Sequence, residues 1–259
     1  MYHANTLNPT PRNMIEHHRQ RAEQPFRQQT QEAAVRHSRK NMKLIKPIQP
    51  FYIEKEENQS FAVGHLSLGY LLGKASSKLL KTNLSLSIIF TLSVLPDIDI
   101  LFPFLRHRGP THSLIVALLV FIPVFVVYGK KAAPYLLALI SHPLIGDYIG
   151  GGGIQLLWPL TKETYGIKLA IRDPTSIVTE CTLFVIFLIL IIKTGDVKAL
   201  LRPQKSNLIL AVPTFTVILP TFLAFPMNVP YVLVLPHIVF LVLFSASMLT
   251  YIWKILRGK

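Results

Sequence analysis

Acidic residues are scarce beyond residue 60, where only Asp97, Asp99, Asp147, Glu163, Asp173, Glu180 and Asp196 occur. An average soluble domain is about 25% charged; this chain is 15% charged and 51% hydrophobic. That shortage excludes an ordinary solvated surface and predicts that much of the exposed surface faces lipid. Cysteine is scarcer still. The single Cys181 excludes an internal disulfide and a cysteine-rich metal site, and its place at the start of an apolar run suits a packing residue. The first residues hold no apolar core before a small-residue cleavage site, so no secretory signal is expected. No internal repeat is apparent, which weakens a transporter reading based on inverted halves. Basic runs with interleaved aromatics are also rare, so the net charge of +14 does not point to nucleic acid as a partner of the core. Basic residues collected in cytoplasmic loops account for it instead.

What is present divides into three parts. Residues 1–60 hold ten of the 27 Lys+Arg and six of the 13 Asp+Glu with few large apolar groups. They read as a basic, polar, mostly disordered tail. Residues 61–192 form a helical membrane domain, and 193–259 a basic loop with a C-terminal transmembrane hairpin. The apolar segments are 61–80, 83–105, 111–128, 132–149, 176–192, 207–225 and 231–253, most of them near the roughly 20 residues that a bilayer requires. The expected fold is therefore all-α, a multi-pass transmembrane bundle of about six to seven helices in the cell membrane. Lys193, Lys198, Arg202 and Lys205, with Lys254, Arg257 and Lys259, place the loop before the last hairpin and the C-terminus inside.

Against this background the intramembrane polar residues stand out, because an ionisable group in a membrane helix is costly unless paired, coordinated or hydrated. They are His65, Asp97, Asp99, His107, His112, His142, Asp147 and Glu180. Alternating helices carry them toward one face, which is how a helical bundle builds a metal site. Imidazole and carboxylate without thiolate suit zinc, manganese or iron. Asp97 and Asp99 are two residues apart, about 200° on a continuous helix, so one ligates and the other orients a histidine from behind; Asp97 is the favoured ligand. His107 can likewise ligate or support. His237, alone on an apolar face beside Pro236, reads as a buried packing residue.

The motif His107-Arg108-Gly109-Pro110-Thr111-His112-Ser113 resembles the H-R-G-x-T-H-S signature of the LexA-binding, inner-membrane-associated metal-dependent hydrolase family. Gly64-His65-Leu66, Leu95-Pro96-Asp97-Ile98-Asp99, Ser141-His142 through Asp147, Gly153 to Leu157-Trp158-Pro159, and Ser176 to Glu180 are similar to its other elements, in the same order. One departure is visible. Four residues separate His142 from Asp147 where the family has three, so on an α-helix the two diverge by about 140°. Pro143 or Gly146 can absorb the extra residue as a kink or π-bulge.

The resemblance implies a membrane-embedded hydrolase that uses a divalent metal, zinc above all, on a phosphoester or lipid-linked substrate. The expected metal set is His65, Asp97, Asp99, His107, His112, His142 and Asp147. Glu180 and Arg108 are the expected catalytic residues, Arg108 as a fork donor to an anionic substrate. The alternative is a non-enzymatic metal-binding membrane protein or a cation transporter.

Overall fold

A computed structural model describes residues 61–102, 104–150, 152–167, 169, 172–223 and 229–258. The tail expected over 1–60 lies outside the described residues. Those that are described belong to one unit, 56–259, whose regular secondary structure is helical; the one β-type pairing among them is an isolated antiparallel bridge between Ile154 and Tyr165.

Helix α1, Ala62–Leu80, ends at Lys81, whose left-handed φ of 50° turns its N–H back onto the Lys78 and Ser77 carbonyls. It buries Val63, Leu66 and Tyr70 and packs against α2, Leu86–Val94. A Cβ at Gly69 would lie 2.3 Å from that of Ser93, so the glycine permits this close approach. Pro96 stops α2. It has no N–H for the next α-turn; Val94 leaves helical geometry at φ -126°, and the chain continues as a tight 3₁₀ turn, Leu95–Leu101. The segment 83–105 is therefore a nine-residue helix and a turn, short of the bilayer crossing expected.

Among the described residues, four helical runs are long and apolar enough to cross a membrane: Leu114–Gly150, Pro174–Lys193, Lys205–Leu223 and Tyr231–Leu256. The sequence predicts six to seven. The first run has 37 residues, more than one crossing needs, and it doubles back. Helix α3, Leu114–Tyr128, is capped by the Ser113 hydroxyl, which accepts the Val116 N–H at 3.3 Å, and breaks at Gly129 (φ 53°). Helix α4, Ala133–Ser141, returns against it through Ala117, Phe121 and Leu139. As a result the His112 and His142 rings are 5.0 Å apart, where a straight helix would separate them by about 45 Å.

Helix α5, Pro174–Lys193, is followed by the short α6, Asp196–Leu200, by the Lys205–Leu223 run and by α7, Tyr231–Leu256. Residues on both sides of position 193 share one core. Tyr70 stacks on Phe90 at 5.9 Å, Phe187 on Phe240 at 4.9 Å, and Phe90 meets Phe244 at 5.1 Å. In lipid such helix contacts rest on packing and on hydrogen bonds between helices. Asn207 supplies the latter: its amide N–H₂ lies 2.9–3.1 Å from the carbonyls of Leu200, Arg202 and Ser247 and shares its two hydrogens among them, while its oxygen accepts the Ser87 hydroxyl.

The far end of α1 is tied by Asp196, whose carboxylate accepts Tyr70 Oη at 2.8 Å and takes Lys74 Nζ at 2.6 and 2.8 Å. Asp196→Ala leaves these donors without their main acceptor. It should lower stability in detergent by about 1–3 kcal/mol, measured by thermal unfolding, with metal content unchanged.

Candidate metal centre

The polar residues gather at one end of the bundle because the chain reverses there repeatedly. His65 lies in the first turn of α1, Asp97 and Asp99 in the turn after α2, His107 to His112 just before α3, and His142 directly after α4. Glu180 lies six residues into α5, about 9 Å along its axis.

Four of them converge. His112 Nε2 lies 3.4 Å from Asp97 Oδ1 and 3.1 Å from Asp147 Oδ2; His142 Nε2 lies 3.3 Å from each of the same two oxygens. One donor atom from each of the four falls within 4.8 Å of all the others, so this buried His/Asp group can hold a metal ion. The imidazole nitrogens fit such an ion. Both Nε2 atoms are buried and neither makes a hydrogen bond, although carboxylate oxygens surround them. Carboxylate oxygens facing two buried, bare ring nitrogens make a costly arrangement that a shared cation relieves.

The segment His142–Asp147 is a π-helical turn. Its wider winding brings residues five apart onto one face, so His142 and Asp147 both point into the cluster despite the extra residue. The kink or bulge expected at Pro143 and Gly146 is found there.

The other ring nitrogens are fixed by the protein. His142 Nδ1–H donates to the Ser93 carbonyl at 2.9 Å, which leaves Nε2 bare. His112 Nδ1 lies 3.0 Å from the Thr111 hydroxyl and 3.4 Å from Asp99 Oδ2. Asp99 is heavily engaged: His107 Nδ1 is 2.9 Å from Oδ1, and the Arg108 N–H (3.2 Å) and Thr111 hydroxyl (2.7 Å) donate to Oδ2. Asp99, His107 and His112 form a second group with metal-ligand spacing, but the oxygens of Asp99 already serve protein donors.

Electrostatics favour positive charge here. Burial opposes ionisation of Asp99, yet His107 and His112 outweigh it and hold the carboxyl below its usual range. Burial likewise opposes a charged His112, but Asp147, Asp97 and Asp99 raise its pKa well above 6.5. A proton or a metal cation can supply the charge, and metal binding releases the proton.

Arg108 is 4% exposed and adopts φ 61°, a left-handed conformation costing a non-glycine residue about 1–2 kcal/mol. Asp99 holds its N–H, and its carbonyl accepts the Gln155 N–H at 3.0 Å. Its Nη2 donates to Asp147 Oδ1 at 3.4 Å, while Nε and Nη1 are buried without hydrogen-bond partners. The Leu157-Trp158-Pro159 stretch anchors the start of α3: Ser113 Oγ donates to the Trp158 carbonyl and the Leu114 N–H to that of Leu156.

His65 and Glu180 stand outside the four-residue group. The His65 ring stacks on His142, with centroids 3.8 Å apart, and its Nε2 is 3.6 Å from Asp147 Oδ1. The Glu180 carboxylate accepts the N–H of Gly64, an otherwise orphan donor in the first turn of α1. His237 lies apart, its Nδ1–H donating to the Leu233 carbonyl at 2.7 Å, as expected of a packing residue. The roles of Ser93, Thr111 and Asp196 are ones that sequence reasoning missed. Ser93 and Asp196 sit outside the quoted motifs, and Ser93 acts through its carbonyl, which carries no side-chain signal.

No curated protein and no solved structure matches the chain. A family model does match, that of the YdjM inner membrane protein, over residues 61–228, the region that contains the whole cluster. With this match over more than half its length and helices able to span a bilayer, the chain is a multi-pass membrane protein that belongs to the YdjM inner membrane protein family.

Proposed function

We propose that this protein is a membrane-embedded metal-dependent hydrolase acting on a phosphoester, with Asp97, His112, His142 and Asp147 holding a divalent ion for which zinc is the best fit. The observation that carries this reading is the spacing of the donors. The four nitrogen–oxygen separations of 3.1–3.4 Å match the edge of a tetrahedron, about 3.3 Å, built on metal–ligand bonds of about 2.0–2.1 Å. A bound ion would polarise an ester oxygen and lower the pKa of an attached water toward neutrality.

The protein's own residues supply orientation and charge. Asp99, with His107 and Thr111 behind it, fixes the His112 ring, and the Ser93 carbonyl fixes His142; such supports commonly contribute 10–100-fold to metal affinity or activity. Arg108 has two N–H sites free for an anionic substrate, and its fork suits phosphate. Glu180 is assigned a positioning role, since its carboxylate holds the turn that carries His65.

One observation favours the alternative of a non-enzymatic metal-binding protein: four protein ligands can close a tetrahedral site, as structural sites do. Metal analysis of the detergent-purified protein, with hydrolysis assays on phosphodiesters and phospholipids, separates the two. The hydrolase reading expects about one divalent ion per chain, with activity abolished by chelation and restored by that ion. Stoichiometric metal with no hydrolysis across the panel leaves the structural reading; protein purified without metal that also fails to take up added zinc overturns both.

A further inference from the structure

A cleft opens beside the metal centre, between the start of α1, the π-turn and the first half of α5. Phe61, Leu68, Ile145, Ile149 and Leu183 supply much of its wall. His65 also lines it, with one ring face against His142 and its Nε2 toward Asp147. Asp147 Oδ1, 3.6 Å from His65, is the oxygen that receives Arg108 Nη2. His65 thus stands between the cleft and the carboxylate that Arg108 meets from its other side.

Three features describe its occupant. First, two polar groups in the lining are already bonded within the protein: Thr179 donates to the Thr175 carbonyl at 2.8 Å, and Glu180 accepts the Gly64 N–H. The remaining polar side chains, His65, Thr175 and Ser176, are outnumbered by apolar ones, so the lining is mostly apolar. Second, Ile145, Ile149 and Leu183 belong to runs that can span the membrane, and Ile145, Ile149 and neighbouring Val178 are exposed. The rim is continuous with the lipid-facing surface. Third, the cleft lies at the end of the bundle, within two or three turns of the start of α5, the depth at which acyl chains meet headgroups.

We propose that this cleft receives the hydrocarbon chain of a lipid phosphoester, placing the headgroup ester at the His65 end, beside the metal centre. This rests on the hydrolase reading for the chemistry: water's oxygen bonds to phosphorus, the ester P–O bond breaks, and the leaving alkoxide takes one of water's protons. Occupancy of the cleft by the chain does not rest on it, and can be read separately.

Two measurements on the full-length protein test this. The first is labelling in phosphatidylethanolamine–phosphatidylglycerol vesicles that contain a phosphatidylglycerol with a photoreactive acyl terminus. Adducts should map to residues 145–149 and 179–183, and Thr179→Trp, which fills the cleft, should remove them. The second is hydrolysis of matched long- and short-chain phosphodiesters. The preference for the long chain should fall at least about tenfold in Thr179→Trp, in keeping with the sensitivity of an apolar pocket to lost methylene contacts. Val185→Trp, on the exposed side of α5 outside the cleft, should change neither result. Adducts spread evenly over exposed faces of α3 and α5, untouched by Thr179→Trp, overturn the assignment even if the protein hydrolyses phosphoesters. Adducts confined to the cleft in a protein that hydrolyses nothing retain the lipid site and remove the hydrolase reading.

Discussion

His112→Ala is expected to lower metal affinity by more than about 100-fold, the upper end of what the loss of a mere supporting residue costs. His112 is fully buried, and its ring is the one that joins both groups: Nε2 faces Asp97 and Asp147, while Nδ1 faces Asp99. Truncation removes one of four donors from the centre and leaves Asp97, His142 and Asp147 to hold the ion with a coordination position unfilled by protein. Two comparisons sharpen the result. Asp99→Asn removes the orienting charge but no proposed ligand, and should cost about 10–100-fold. His237→Ala should leave affinity unchanged, because that ring is bonded within α7. Affinity is read by competition with a chromophoric chelator and metal content by elemental analysis. Equal losses for His112→Ala and Asp99→Asn would place both on the same footing and remove the distinction between ligand and support.

The clustering of these residues was legible in the sequence because lipid makes charge informative. In a water-soluble protein eight scattered His, Asp and Glu would be ordinary surface, whereas here each requires a reason. The spacing anomaly was legible too. Asp147 lies one residue too far from His142 for an α-helix, and Pro143 and Gly146 mark where the helix can widen; the π-turn occupies that interval. Hidden from the sequence was the difference between a residue near the centre and one whose donor atom reaches it. His65 and Glu180 lie in helical motifs that look as ligand-like as Ser141-His142. Stacking on His142 and capping of α1 depend on how α1, the π-turn and α5 approach one another, and no local pattern encodes that distance.

Span counting and the described helices part company for a related reason. Residues 83–105 have the apolar content of a crossing, but Pro96 ends the helix after nine residues and the remainder is turn. Hydropathy registers composition averaged over a window, while proline acts at a single backbone N–H. Residues 111–149 show the opposite case. One continuous apolar run was divided correctly by the Lys130-Lys131 pair, and the proximity of His112 to His142 confirms the reversal.

The second large effect should come from a residue with no side chain. A Cβ at Gly146 would lie 2.1 Å from His65 Cε1 and 2.2 Å from Nδ1, far inside van der Waals contact. His65 cannot yield toward His142, whose ring already stacks 3.8 Å away, so it must swing into the cleft or push α1 from the π-turn. Either movement disturbs Asp147, the next residue along the chain. Gly146→Ala should therefore cost about 1–3 kcal/mol of stability from overpacking, and metal affinity should fall about 10–100-fold, as for loss of a supporting contact. Gly73→Ala is the matched control. Its Cβ would meet Ile89 Cδ1 at 2.7 Å, the tip of a flexible side chain that can turn aside, so any loss of stability should be smaller than for Gly146→Ala and metal binding should not change. A double variant, Gly146→Ala with His65→Ala, separates the causes: removing the ring removes the clash, and stability should recover relative to Gly146→Ala alone. Thermal unfolding in detergent and chelator competition report the two quantities. If Gly146→Ala binds metal as tightly as the unmodified protein, the π-turn and α1 are not packed in the way that sets the geometry of Asp147.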